Sequence, residues 1–482
     1  MPGEARSMIS LNTEAWFVLA GILIAFVRAT RAPGSSKAWN VNRLDALALT
    51  VLALITVSLF GWMARSYFLA DDFILLVQAH APLSWGSIFA TRGGDGSFRP
   101  LGYLSYVASA KWAGTDPAAW HWLGFGLHIA NTILLYAAAA LLGYSRFLAW
   151  LAAALFAMHG THPEAVVWMA GRFDLLSTSF FLAALVCFLE SLKADSGRKT
   201  WLVVAVIAMT AGLLSKESAY SFALVAALLV MCSGAARRRE AWVAVLIFVA
   251  VTAALFIYRW NLLGGIGGYP QMNLLLSLKG LLFRMWAILF FPVNWTLPAG
   301  RWVELLLAAY SIALVRLFFA RAQLLRIAFA AGFVILTAAP AVSQLLIGTD
   351  LEKARVLYLP SAGFCLLLAA LGAGLRLPSR AAVAAILLVF HGAMLEHNLQ
   401  GWQRASEVVE SACSQAAKCG LASGARPLVT GLPRTLRGVY TFANGFPECV
   451  AMQMGDGAVR ASSNGACKFT WDAASASLKA VQ

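Results

Sequence analysis

Long apolar runs, separated by short polar connections, account for most of the chain. They lie near residues 11–27, 44–63, 120–142, 147–160, 172–190, 200–214, 218–234, 240–258, 302–319, 326–347, 356–375 and 380–397. A helix needs about 20 apolar residues to cross a bilayer, and backbone in lipid must satisfy its own hydrogen bonds, so we expect about 12 transmembrane helices. A further run, 274–291, carries Lys279 and Arg284 and ends at Pro292. We interpret it as an interfacial helix on the outer surface.

The basic residues predict how these helices are oriented. Cytoplasmic loops of membrane proteins are enriched in Lys and Arg, and here alternate connections carry them. The residues concerned are Arg28, Arg31, Lys37, Arg43, Arg146, Lys193, Arg198, Lys199, Arg237, Arg238, Arg239, Arg321, Arg326, Arg376 and Arg380. If these loops are cytoplasmic and 274–291 does not cross, then 64–119 and everything after 397 lie outside. Because basic residues follow the run 11–27 and no cleavage site does, we expect a retained helix instead of a signal peptide.

Composition agrees with a membrane protein. The 482 residues are 60% hydrophobic and 12% charged, with a mean hydropathy of +0.74, which is more apolar surface than a soluble domain needs. The net charge of +15 resides mostly in short loops without interleaved stacking aromatic residues, so we expect no nucleic-acid partner. We predict an all-α polytopic membrane protein with an extra N-terminal helix and cytoplasmic loop (1–43), a membrane domain (44–397) and a C-terminal module (398–482).

The C-terminal module differs from the rest of the chain. It is rich in Gly, Ser and Ala and contains Cys413, Cys419, Cys449 and Cys467, which predict two disulfides in an oxidising compartment. Three connectivities are possible, and we favour local pairing, Cys413–Cys419 and Cys449–Cys467. After a short helix near 399–416, we expect a small, mostly β module because three hairpin signals follow: Asn444-Gly445, Asp456-Gly457 and Asn464-Gly465.

Polar residues cluster at the outer ends of the predicted helices. Asp71 and Asp72 follow an apolar span, and the glycine-rich segment 92–100 lies in the same outer loop and contains Arg99. An acidic pair is a candidate general base or metal ligand, and adjacent carboxylates repel, which raises the pKa of one of them. Arg99 is suited to bidentate contact with a phosphate. A solvated helix end is the simpler interpretation of the acidic pair.

Further outer groups have both a functional and a structural interpretation. Ionisable residues in membrane segments are candidates for function, whereas pairing with each other or anchoring at the interface would explain them structurally. Arg355 and Tyr358 are one helical turn apart and share a face, which would suit a lipid phosphate. The other members of these groups are His162, Glu164, Arg172, Asp174, Lys216 and Glu217.

These motifs, in this order, resemble those of the GT-C class of polytopic glycosyltransferases. More closely, residues 60–400 resemble bacterial relatives of protein O-mannosyltransferases of the transmembrane-and-tetratricopeptide type. The matching stretches are Asp71-Asp72-Phe73, Phe98-Arg99-Pro100-Leu101, His128 with Asn131, His162-Pro163-Glu164-Ala165-Val166, Gly171-Arg172 with Asp174-Leu175-Leu176, Ser215-Lys216-Glu217, and Arg355 to Ser361 with Tyr358-Leu359-Pro360. Two departures are Ala354, where that family often has Glu, and the absence of tetratricopeptide repeats.

The resemblance implies an inverting transfer of a sugar from a polyprenyl-phosphate-linked donor to an acceptor hydroxyl. Asp71 would be the general base, and Asp72 would orient it or contact the acceptor. Arg99, Lys216 and Arg355 would hold the phosphate, and the remaining donor-binding candidates are His128, His162, Glu164, Arg172, Asp174, Glu217 and Tyr358. The resemblance requires no protein-bound cofactor and leaves a divalent metal open.

The resemblance also implies a location and partners. The protein would lie in a bacterial inner membrane, with its active site and C-terminus in the periplasm, among membrane lipids. Its acceptor would be a glycan, a lipid or a protein. The alternative is a transporter, flippase or ligase of lipid-linked glycans. A transporter is expected to show an internal repeat and paired broken helices at the bilayer midplane, and the sequence has neither.

Overall fold

The computed structural model describes residues 42–82, 88–89, 96–193, 197–235, 238–267, 273–320, 323–423, 427–455 and 467–480. The predicted span 11–27, the first part of the glycine-rich segment, and the turn signals Asp456-Gly457 and Asn464-Gly465 lie outside these residues. The predicted division into three parts is therefore only partly covered.

Most of the described residues are helical. Within these ranges, the α-helices are α1 (Arg43–Phe60), α2 (Asp71–His80), α3 (Pro100–Ala113), α4 (Pro117–Leu141), α5 (Arg146–Ala157), α6 (Pro163–Val166), α7 (Arg172–Lys193), α8 (Arg198–Leu213), α9 (Phe222–Cys232), α10 (Arg239–Leu263), α11 (Leu274–Lys279), α12 (Met285–Phe290), α13 (Arg301–Phe318), α14 (Leu324–Ala338), α15 (Tyr358–Gly372), α16 (Leu377–Ser423) and α17 (Phe446–Met454). A π-helical turn, Gly280–Arg284, joins α11 to α12.

Each predicted span that falls within the described residues coincides with a helix. Seven described helices are long and apolar enough to cross a membrane: Arg43–Arg65, Pro117–Leu141, Met169–Lys193, Arg239–Leu263, Leu324–Gln344, Ala354–Gly372 and Leu377–Ala422. Others are too short, since the 12 residues of α5 rise only about 18 Å against a hydrocarbon core of about 30 Å. The protein is thus a multi-pass, mainly helical membrane protein, while the expected count of about 12 spans is not confirmed.

The most deeply buried helices are α5 and α15. All residues from Phe147 to Ala157 in α5 are buried, and so is every residue of α15. Alanines make up much of α5, and small side chains let helix backbones approach closely in a membrane protein. The segment α11–α12 instead exposes Leu274, Leu275 and Phe283, and its position relative to the membrane stays a prediction.

The last membrane helix continues into the C-terminal module without a break. Residues 399–416 are helical as predicted, but they do not form a short helix of their own, because α16 runs continuously from Leu377 to Ser423. Beyond it, strand β1 (Leu428–Thr430) pairs in parallel with β4 (Lys468–Asp472), which pairs antiparallel with β5 (Ser477–Ala480). Strands β2 (Thr435–Leu436) and β3 (Val439–Tyr440) form a separate antiparallel pair. Asn444-Gly445 does not form the predicted hairpin: Gly445, with φ of 78°, precedes α17 as its N-cap.

Two disulfides connect the end of α16 to the rest of the C-terminal module. The predicted local pairing is wrong: Cys413 pairs with Cys449, and Cys419 pairs with Cys467, with Cα–Cα distances of 6.0 and 5.9 Å. The physical reason is that Cys413 and Cys419 lie on one helix. Six residues of α-helix rise about 9 Å, which exceeds the Cα separation that a disulfide spans.

Peptide mapping of the oxidised protein tests this connectivity. We expect one linked pair of peptides containing Cys413 and Cys449, and another containing Cys419 and Cys467. The buried thiols Cys187 and Cys365 in the membrane helices should remain free and serve as internal controls. A peptide pair linking Cys413 to Cys419, or free thiols at all four positions in protein from oxidising cells, would contradict the structure. Removing one bridge should destabilise the module by about 2–5 kcal/mol.

Candidate active site

The acidic pair lies in the first turn of α2, where its two members have different surroundings. Asp72 is buried, and its carboxylate accepts hydrogen bonds from the backbone N–H groups of Leu69 (3.0 Å) and Ala170 (2.9 Å). Burial raises the pKa of Asp72 to about 8; these hydrogen bonds oppose the rise, and the charge of Asp71 adds to it. Asp72 thus links the start of α2 to the turn before α7. This contact indicates that Asp72 positions α2.

Asp71 instead faces a cavity. Its Oδ1 accepts a hydrogen bond from Nδ2 of Asn444 at 2.7 Å, so the C-terminal module contacts the candidate base directly. The contact is close because the next residue is Gly445, where a Cβ would collide with the carbonyl oxygen of Ala70. Ala70 itself has a φ of 45°, a backbone conformation that L-residues seldom adopt.

The cavity has a volume of about 820 Å³ and collects residues from distant parts of the chain. Besides Asp71, its wall includes three predicted phosphate-binding residues, Arg99, Lys216 and Arg355. Lys353 adds a further cation, and the C-terminal module contributes Arg434, Tyr440 and Asn444. We call this the main cavity. Among the described lining residues, five are cations and one is a carboxylate, a balance that favours an anionic ligand.

Each of the three predicted phosphate-binding cations forms an ion pair with a buried or largely buried carboxylate. The ion pairs are Arg99–Glu217 at 2.8 Å, Lys216–Asp174 at 2.5 Å and Arg355–Glu164 at 2.6 Å. Glu217 also pairs with the buried Arg259 at 3.3 Å. Glu164, Asp174 and Glu217 are therefore placed where they orient the cavity cations, and a direct contact of theirs with a donor stays a prediction.

Burial and pairing have opposite effects on these groups. Burial raises the pKa of the Glu164 carboxyl, and the adjacent Arg355 opposes the rise. Burial lowers the pKa of Lys216, and Asp174 beside it opposes the fall. Because each partner stabilises the charged form of the other, removing one would leave an uncompensated buried charge.

Arg355 is held by aromatic rings as well as by Glu164. Its guanidinium carbon lies 4.6 Å from the ring centroid of Trp168, and Tyr440 stacks on Trp168 with centroids 5.1 Å apart. The hydroxyl of Tyr440 donates to Glu352 at 3.0 Å. The acid that pairs with Arg355 is thus Glu164, about 190 residues away in sequence, and Glu352 instead anchors the module.

Three of the predicted donor-binding residues form a buried polar cluster. Nδ1 of His128 lies 2.6 Å from the hydroxyl of Tyr358, which also accepts a hydrogen bond from Asn131 at 3.2 Å. Nε2 of His162 lies 2.8 Å from the hydroxyl of Ser361. These contacts join α4, α15 and the segment before α6. The structure does not place His128, His162 or Tyr358 on the wall of the main cavity, so their predicted contact with a donor stays untested.

Arg172 also lies apart from the main cavity. It is 3% exposed, and its guanidinium packs against the rings of Tyr106 (4.9 Å) and Trp120 (4.7 Å) and donates to Ser109 at 2.9 Å. These contacts indicate a structural role for Arg172 in packing α3, α4 and α7 together.

Sequence reasoning missed Trp168, Lys353, Arg434, Tyr440 and Asn444 as cavity residues. Trp168 and Lys353 stand beside recognised motifs, which was a usable signal. The three module residues carried none, because nothing in the sequence places the tail against α2. Within the described ranges, no group of three or more His, Cys, Asp or Glu side chains is arranged to hold a metal ion.

Comparison with known proteins gives matches to parts of the chain. No family model matches. Protein O-mannosyl-transferase Tmtc1 of Drosophila melanogaster is 33% identical over 146 residues, which are 30% of this chain and 16% of that protein. Human protein O-mannosyl-transferase TMTC2 is 35% identical over 122 residues, 24% of this chain and 14% of that protein. The chain thus matches about a sixth of the length of these relatives.

Solved structures show a more distant similarity. ArnT from Cupriavidus metallidurans, bound to undecaprenyl phosphate, is 12% identical over 84% of both chains, with a TM-score of 0.45. The S. cerevisiae protein O-mannosyltransferase Pmt1-Pmt2 complex, bound to its sugar donor, is 16% identical over 49% of this chain and 35% of that one, with a TM-score of 0.36. The sequence matches confirm what the motifs indicate: this chain resembles the protein O-mannosyltransferases of the transmembrane-and-tetratricopeptide type, which are GT-C glycosyltransferases.

Proposed function

We propose that this protein is an inverting glycosyltransferase that moves a hexose or pentose from a polyprenyl-phosphate-linked donor to an acceptor hydroxyl. One observation carries the proposal: the carboxylate of Asp71 and the cations Arg99, Lys216 and Arg355 come from four separate segments and line one cavity. A base and a set of phosphate-binding cations are the two requirements of this chemistry. The similarity to protein O-mannosyl-transferases supports the same reaction type.

In the proposed reaction, Asp71 accepts the proton of the acceptor hydroxyl while the oxygen of that hydroxyl attacks the anomeric carbon of the donor sugar. The new glycosidic C–O bond forms as the bond from that carbon to the phosphate oxygen breaks. The bonding electrons leave with the lipid phosphate, and attack from the opposite face inverts the configuration. Asn444 donates to Asp71 and fixes its orientation toward the cavity.

The cations would stabilise the departing phosphate. Their carboxylate partners, Glu217, Asp174 and Glu164, hold them in place before substrate arrives, and preorganised charge costs no rearrangement during the reaction. Arg99 and Arg355 have planar guanidinium groups that suit phosphate oxygens, and Lys216 supplies a compact charge.

We place the active site on the periplasmic face of a bacterial inner membrane. Two features support this location. The loop charges predict an external C-terminus, and the module that contributes to the wall of the main cavity carries two disulfides, which persist in oxidising compartments. The acceptor is a glycan, a lipid or a protein of that compartment.

A defined assay tests the proposal. Purified protein in lipid nanodiscs would be given polyprenyl-phosphate donors that carry different sugars, together with envelope glycan, lipid or protein fractions as acceptors. We expect release of polyprenyl phosphate that depends on the acceptor, with a parallel reaction containing a chelator to test for metal dependence. Movement of donor across vesicles without release of polyprenyl phosphate would support the transporter alternative and overturn the proposal.

A further inference from the structure

A second cavity, of about 630 Å³, lies between the ends of several membrane helices. Its basic residues are Lys193, Arg198, Arg238 and Arg326. We call it the basic cavity. Its volume falls within the roughly 300–1,000 Å³ of ordinary ligand sites, and none of the lining residues that the structure describes is a carboxylate.

The basic cavity and the main cavity lie at opposite ends of the same helices. Near its start, α7 carries Asp174, which pairs with Lys216 of the main cavity, and it ends at Lys193 in the basic cavity. At 1.5 Å per residue, these two positions are about 28 Å apart, close to the thickness of a hydrocarbon core. Likewise, α14 begins beside Arg326 and leads to Ser343 and Gln344 on the wall of the main cavity. The basic cavity is therefore at the other membrane surface.

Two arginines are anchored at the mouth of the basic cavity by backbone carbonyl groups. Arg238 donates to the carbonyl of Leu192 at 2.7 Å, and Arg326 donates to that of Gly143 at 2.7 Å. Arg326 also lies over the ring of Tyr144, 5.1 Å from its centroid. A guanidinium has five N–H donors, so each arginine keeps donors for an anion after making its carbonyl contact.

Glu190, three residues before Lys193, offsets part of the charge of that lysine. Arg198 pairs with Glu240 at 3.8 Å, and both side chains are substantially exposed. Among the described residues, neither Arg238 nor Arg326 has an ion-pair partner. The rest of the wall is largely apolar, including Leu141, Leu189 and Phe329. An anionic headgroup site with apolar walls is thus open at a membrane surface.

We propose that the basic cavity binds the phosphate headgroup of an anionic membrane phospholipid. The arginines bind the phosphate, and the leucines and Phe329 contact the first methylenes of the acyl chains. Basic pockets between transmembrane helices bind anionic headgroups in this manner. This site is separate from the proposed transfer reaction and does not depend on it.

Native mass spectrometry of the detergent-purified protein tests the proposal. The probes are phosphatidylglycerol, phosphatidylcholine and inorganic phosphate. We expect one phosphatidylglycerol to remain bound at energies that remove phosphatidylcholine. Arg238→Gln combined with Arg326→Gln should weaken phosphatidylglycerol binding about tenfold or more, because both anchored cations are lost.

A matched double variant controls for net charge. Lys199→Gln with Arg316→Gln also removes two exposed cations, and neither residue lines the basic cavity. We expect this control to bind phosphatidylglycerol as the unmodified protein does. Equal weakening in both double variants, equal retention of phosphatidylcholine, or competition by inorganic phosphate at the same concentration as the lipid would overturn the proposal. Sugar transfer should be unchanged in detergent with either variant, since neither touches the main cavity.

Discussion

Replacing Asp71 with Asn should reduce sugar transfer by about 10²–10⁴-fold, the usual contribution of a general base. Asparagine keeps the size of the side chain and its neutral contacts but does not accept a proton at neutral pH. Asp71 lines the cavity, and among the described residues its side chain bonds to Asn444 instead of to the backbone. The variant should therefore fold, enter the membrane and bind the polyprenyl donor normally. Release of polyprenyl phosphate under single-turnover conditions, with donor binding measured separately, is the readout.

Asp72→Asn is the matched control. Both carboxylate oxygens of Asp72 accept backbone N–H groups, and an Asn side chain would direct N–H toward one of these donors. An unsatisfied buried donor costs about 1–3 kcal/mol, so this variant should lose thermal stability more than intrinsic transfer rate. Asn444→Ala should reduce the rate modestly, because it removes only the hydrogen bond that orients Asp71. If Asp72→Asn alone abolishes transfer, the base within the pair is Asp72.

Much of the fold could be predicted from the sequence because it follows from local patterns. Apolar runs of the right length coincide with helices. The motif order indicated that one site contains Asp71, Arg99, Lys216 and Arg355, and all four line the main cavity. The number of membrane spans was harder to predict from the sequence, because a buried 12-residue helix such as α5 is as apolar as a helix that crosses the membrane.

The predictions that were wrong or missing concern contacts between residues that are distant in the sequence. The favoured disulfides assumed that near neighbours pair, whereas Cys413 and Cys419 lie on one helix and each has a partner in the module. The sequence equally gave no reason to place Asn444 on Asp71, or Tyr440 on Trp168. The residues that the tail contributes to the cavity wall indicate that it takes part in transfer, and loss of its disulfides should lower the transfer rate.

Arg355→Ala should lower donor use by at least about tenfold, since a charge-assisted hydrogen bond contributes roughly 1.5–3 kcal/mol. The variant also leaves Glu164 buried without its cation, and breaking a buried pair typically costs about 3–5 kcal/mol. Lost activity could therefore arise from misfolding alone. Combining Arg355→Ala with Glu164→Gln removes both charges, so it should recover much of the stability without recovering donor use.

Two further variants separate phosphate binding from packing. Arg355→Lys should restore activity only in part, because an ammonium lacks the planar fork that matches phosphate oxygens and stacks on Trp168. Arg259→Ala removes a buried cation that pairs with Glu217 but does not line the main cavity, so it should lower thermal stability without raising the KM for donor. Donor titrations measure the KM for donor in the four variants, and melting curves measure their stability, so the two effects are separated. Normal donor KM in a stable Arg355→Ala/Glu164→Gln protein would assign Arg355 to packing and leave Arg99 and Lys216 as the phosphate-binding cations.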